Sequence, residues 1–131
     1  MPIQSLFLVT LVVDDYDSAK AFYCGVLGFD CLQDDFLPDG KRWVVVKPKG
    51  GAGAGLLLAQ AVGDTQKSAI GNQTGGRVGF FLKTDDFARD HAMMTAKGVR
   101  FLETPRHEAY GTVAVFSDPC GNTWDLIQHS I

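Results

Sequence analysis

The sequence predicts an α+β fold made of two βαβββ modules. Three observations carry this. Strand-like and helix-like apolar patterns follow one another in the order β-α-β-β-β, and then do so again. The two runs match residue by residue at nearly constant offsets. A polar, small-residue stretch over 61–76 without period lies between them and reads as a linker.

Leu6 to Val13 is apolar except for Thr10 and reads as a buried strand. Asp14 and Asp15 then suit a helix N-terminus, where a carboxylate caps free N–H groups and favours the dipole. Ala19, Phe22, Tyr23, Val26 and Leu27 follow at the spacing of one buried helix face, and Gly28 stops the helix. Phe29 to Phe36 and Arg42 to Lys47 read as strands around a Pro38-Asp39-Gly40 turn. The glycine-rich stretch 50–55 lacks the Gly-Lys-Ser/Thr ending of a phosphate loop and reads as a flexible connection before a strand at Leu56 to Gln60.

The second module repeats this order. Strands are expected at Arg77 to Lys83, Val99 to Thr104, Thr112 to Phe116 and Thr123 to Gln128, with a helix opened by Asp85-Asp86-Phe87 and ended by Gly98. Asp14-Asp15-Tyr16 matches Asp85-Asp86-Phe87 at an offset of 71. Gly28 matches Gly98 at 70, and Leu58-Ala59-Gln60 matches Leu126-Ile127-Gln128 at 68. The expected boundaries are therefore about 5–60 for module 1, 61–76 for the linker and about 77–129 for module 2. One module has too little material to bury its sheet alone. Two together predict a curved eight-stranded mixed sheet around a cleft, with the helices on the outer face. A homodimer is the expected means of closing its edges.

Composition narrows the function. The 131 residues carry a net charge of −3 and no basic stripe, which argues against nucleic-acid binding. No apolar run approaches the roughly 18 residues that span a bilayer. Cys24, Cys31 and Cys120 are odd in number and lack Cys-x-x-Cys spacing, which fits a cytoplasmic protein without a disulfide framework or structural zinc.

Strand parity lists the face away from the helices. It carries Leu8 and Thr10, then Leu57, then Arg77, Gly79 and Phe81, then Asp125. Trp43 and Tyr110 lie in hairpin regions where they could rim a pocket. An apolar face with a few polar groups suits a small-molecule ligand. Arg77 is the expected partner of Asp125 or of an anion, and Gly79 leaves room where a side chain would fill the pocket.

Three segments resemble the vicinal oxygen chelate superfamily, which includes glyoxalase I, bleomycin- and fosfomycin-resistance proteins and extradiol dioxygenases. They are Leu11 to Tyr23 with Val26-Leu27-Gly28-Phe29, then Gly79 to Asp86, then Phe116 to Asn122 leading to Asp125-Leu126. The resemblance implies a divalent metal held from four strands, at Leu8, near Leu57, at Gly79 and at Asp125. Only Asp125 offers a donor atom, and one carboxylate does not hold a catalytic ion. His107 and Asp125 are the candidate catalytic residues and, weighed as a rebuilt metal site, are disfavoured. His91 reads as a helix residue and His129 lies about 13 Å along the strand from Asp125. The departure at the other three positions makes a dimeric small-molecule-binding protein of the bleomycin-resistance type, without cofactor or metal, the expected function. The alternative is a lyase, isomerase or dioxygenase of the glyoxalase type, with a displaced metal or with Asp125 or His107 as general base.

Overall fold

A computed structural model of the chain describes residues 2–131. It divides into two compact units, one ending at Ile70 and the other beginning at Gly71. In the first, β1 (Leu8–Val13) leads into α1 (Tyr16–Lys20), whose N-terminus is capped by Asp15 accepting from the Ser18 N–H at 2.8 Å. The helix continues as a π-turn over Ala21–Val26, in which the Leu27 N–H bonds the Phe22 carbonyl at 2.9 Å. β2 (Asp30–Phe36), β3 (Arg42–Lys47) and β4 (Gly55–Gln60) complete the module. The sheet order is β1-β4-β3-β2, with β1 and β4 parallel and the other pairs antiparallel.

The stretch read as a linker contains a helix, α2 (Gly63–Ala69). Its apolar period is missing because none of its residues is buried, so no packing face is written into the sequence. Gln66 supports its start by accepting from the Val62 N–H at 2.9 Å.

The second unit repeats the plan: β5 (Phe80–Lys83), α3 (Phe87–Ala96), β6 (Arg100–Phe101), β7 (Arg106–Glu108), β8 (Gly111–Ser117) and β9 (Thr123–His129). Its order is β5-β9-β8-β6, and β7 also pairs with β8. The strand expected over Val99 to Thr104 is therefore only two residues long, a further short strand follows it, and the described residues hold nine strands rather than eight. Pro105, which has no N–H to give, sits in the gap. Leu102 still donates to the Val115 carbonyl at 2.8 Å. Opposite the gap, the Val115 N–H finds the Glu103 carboxylate at 2.9 Å instead of a backbone carbonyl.

The parallel ladders reproduce the internal repeat. Thr10 pairs with Leu57 in the first unit and Phe81 with Asp125 in the second, positions related by the offsets of 71 and 68. α1 with its π-turn, and α3, each cover one face of their own sheet. Leu11, Val13, Val44, Val46, Leu56 and Leu58 are buried with Ala19, Phe22 and Tyr23 in the first unit. Phe116, Trp124 and Leu126 are buried with Phe87 and Met94 in the second. Each such valine, leucine, phenylalanine or methionine side chain contributes about 1.5–3 kcal/mol on leaving water. Phe7 and Val9, within the run that reads as a buried strand, are instead 69% and 38% exposed, since the buried part of β1 is its C-terminal end. Rings touch in series through the second core, some stacked and some tilted, from Phe80 to Trp124, Phe116, Phe101, His91 and Phe87. His91 is thus a core-edge residue between two phenyl rings.

Candidate functional site

Asp125 sits mid-strand in β9, and its neighbours Trp124 and Leu126 are buried on the helix side. The strand alternation therefore turns Asp125 to the opposite face. There it pairs with Phe81 on β5 and with Val115 on β8. Phe81 is 65% exposed, so an open aromatic ring lies in the rung beside the carboxylate. Asp125 Oδ1 is buried and has no hydrogen-bond partner among the described residues. Burial pushes the Asp125 carboxyl above its ordinary value, Arg106 opposes this, and Glu103 adds to it.

Arg106 supplies the nearby positive charge. Its Nε donates to Glu103 at 2.9 Å and a terminal nitrogen donates to Glu108 at 3.0 Å. These bonds, Glu103 first, together with one that Arg106 donates to Tyr110, raise the Arg106 pKa. Glu103 thus does two jobs: it completes the β8 ladder and it fixes the guanidinium. Sequence reading missed both residues. The one available signal is Pro105, which forces a break that some neighbouring side chain must bridge.

The expected partner, Arg77, is not at Asp125. It is exposed ahead of β5, and its carbonyl accepts from the Thr74 hydroxyl at 2.6 Å. It lines a small hollow of about 70 Å³ with Gly71, Gly79, Gly121 and Asn122. The room left by Gly79 is already taken: a Cβ there would lie 3.0 Å from the Thr74 methyl. Tyr110 is half exposed in the turn before β8. His107 pairs with Thr112, and its Nδ1 lies 3.3 Å from the Thr112 hydroxyl. Thr112 in turn pairs with Gln128, which faces α3. His107 therefore lies on the face opposite Asp125, and the two do not converge.

In the first unit, Thr10, Leu57 and Val45 form one rung on the face away from α1, with Leu8 and Trp43 on the same face. The Trp43 indole N–H donates to the Gln33 side chain at 3.0 Å, and Gln33 donates to Asp35 at 2.8 Å.

The resemblance drawn from the sequence implies metal ligands at Leu8, near Leu57, at Gly79 and at Asp125. Leucine and glycine side chains have no donor, so these residues do not fit a divalent ion. Among the described residues, no three His, Cys, Asp or Glu side chains gather as a metal-holding group. No helix among them is long and apolar enough to cross a membrane.

Comparison with known proteins places this geometry. A protein of Shewanella frigidimarina is 51% identical over 126 residues, covering 95% of this chain and 93% of its own length. Among solved structures, TnmS3, an antibiotic binding protein from Streptomyces sp. CB03234, is 36% identical, with a TM-score of 0.80 and 99% of each chain covered. A member of the glyoxalase/bleomycin resistance protein/dioxygenase superfamily from Sphaerobacter thermophilus is 28% identical, with a TM-score of 0.75 and coverage of 97% and 98%. The family model for the Glyoxalase/Bleomycin resistance protein/Dioxygenase superfamily matches residues 5–126, and the chain belongs to that superfamily.

Proposed function

We propose that this chain is a small-molecule-binding protein of the bleomycin-resistance type that works as a homodimer and without a metal. The observation that carries the reading is the buried, unpartnered Asp125 Oδ1 beside the open Phe81 ring. A buried acceptor without a donor costs about 1–3 kcal/mol. A ligand hydroxyl, amide or amine restores that bond while its apolar body covers Phe81. The likeness to an antibiotic binding protein at 36% identity supports a ligand of drug-like size. The donor-free Leu8, Leu57 and Gly79 support a metal-free site.

The dimer is supported by the edges. β1 and β5 each end their own sheet, and Phe7 on the approach to β1 and Phe81 on β5 are largely exposed. Cys24, Cys31 and Cys120 form no disulfide, which supports a cytoplasmic setting.

Calorimetric titration with a panel that includes bleomycin and fosfomycin, on the wild type and on Asp125→Ala, tests the site. A ligand bound by the wild type should lose about tenfold in affinity in the variant. Equal affinity in both proteins would remove Asp125 from the site. Elemental analysis should find no stoichiometric divalent ion, and a chelator-sensitive activity would overturn the metal-free reading. Light scattering should give twice the monomer mass.

A further inference from the structure

The first unit holds a cavity of its own, with a volume of about 160 Å³. Its apolar lining includes Leu6, Leu8, Leu32 and Val45. Leu6 and Leu32 are 69% and 56% exposed, so apolar surface stands open to water at its mouth. Two polar side chains also line it, Ser5 and Lys47, and no acidic side chain does. Both are hydrogen-bond donors, and neither has a hydrogen-bond or ion-pair partner among the described residues. Lys47 is half-buried. The carboxylate opposite it in the ladder, Asp30, is engaged by Lys49 instead.

An ammonium without a counter-ion at the wall of an apolar cavity gives an anion placed beside it a charge-assisted hydrogen bond. Ser5 offers a second donor to the same anion. An apolar cavity of about 150 Å³ accommodates a benzene ring. We propose that this cavity binds a small organic anion, a monocarboxylate with an aromatic or branched body of roughly benzoate size. The site lies wholly in the first unit; it shares Leu8 and Val45 with the sheet face described above but rests on Lys47 rather than Asp125, so its failure and that of the reading above are distinguishable.

The test is a titration of the isotope-labelled full chain with benzoate, benzamide and benzylamine, followed through backbone amide resonances. Benzoate should shift Leu6, Leu8, Gly53 and Gly55 saturably and bind about tenfold more tightly than its neutral isostere benzamide. Lys47→Met should reduce benzoate affinity to the benzamide level and leave benzamide unchanged, and Lys67→Met should change neither. The proposal is overturned by equal affinity for benzoate and benzamide, by tighter binding of benzylamine, by shifts confined to other residues, or by no saturable shift. The comparison of the three ligands on the wild type decides the matter even if Lys47→Met does not fold.

Discussion

The Gln128 side-chain carbonyl accepts a hydrogen bond from the backbone N–H of Phe87 at 2.8 Å, tying the last strand of the second unit to the first residue of its helix. Gln60 does the same for Tyr16 in the first unit, at 3.3 Å. The helix N-terminus has N–H groups without internal partners, and Asp86 satisfies another of them at Arg89. Gln128→Ala should therefore cost about 1 kcal/mol, read as a lower urea midpoint with an unchanged slope. Gln60→Ala should cost less, as its bond is longer.

Gly111 opens β8 with φ at 150° and is buried, and a Cβ built there would lie 2.1 Å from the Gln128 carbonyl oxygen. That contact is with backbone and no side-chain rotation relieves it. Gly111→Ala should destabilise the chain by more than about 3 kcal/mol, measured by thermal or urea unfolding. Gly51→Ala, with only ordinary contact around its Cβ, is the neutral control.

Asp34 carries the acid-sensitive ion network. Arg42 grips it with two bonds, at 3.1 and 2.7 Å, and Lys20 adds a third at 2.8 Å. The Arg42 bonds first, then Lys20, hold the Asp34 carboxyl down at about 2, against an ordinary 3.8. Its folded pKa is below its unfolded one, so its contribution is present above pH 3.8 and disappears as pH falls through about 2. Asp34→Asn should lower the unfolding midpoint at pH 7, and the gap to wild type should close over that acidic window.

Asp125 should behave in the opposite sense. Burial holds its folded pKa above the ordinary 3.8, so the folded state disfavours the charged form. Its contribution is most favourable below the unfolded pKa and is lost as pH rises through the folded value. Asp125→Asn should therefore be more stable than wild type at pH 7 and lose that advantage below pH 3.8. Urea titrations at both pH values check this.

The sequence repeat was readable to the level of individual rungs, because an offset in sequence becomes a register in a ladder. Thr10 opposite Leu57 and Phe81 opposite Asp125 are the same pair twice. The outward turn of Asp125 was readable from alternation alone. Arg106 was not, because its approach to Asp125 depends on a strand that breaks and restarts between Phe101 and Arg106. The helix at Gly63–Ala69 was not, because an exposed helix has no reason to show an apolar period. The neighbourhood of Gly79 was misjudged for a different reason: an absent side chain marks either an opening or a close approach, and only the position of Thr74 distinguishes them.

One rung beside β8 is made by the Glu103 carboxylate. Backbone rungs are indifferent to residue identity, and almost any substitution except proline keeps them. This one belongs to a single codon. The turn from Leu102 to Pro105 is thus free to lengthen or change composition so long as one acceptor still reaches Val115. The same acceptor orients Arg106, so sequence drift in an ordinary-looking surface turn is transmitted to the charge beside Asp125. A change of ligand preference can arise there without any residue of the site itself being replaced.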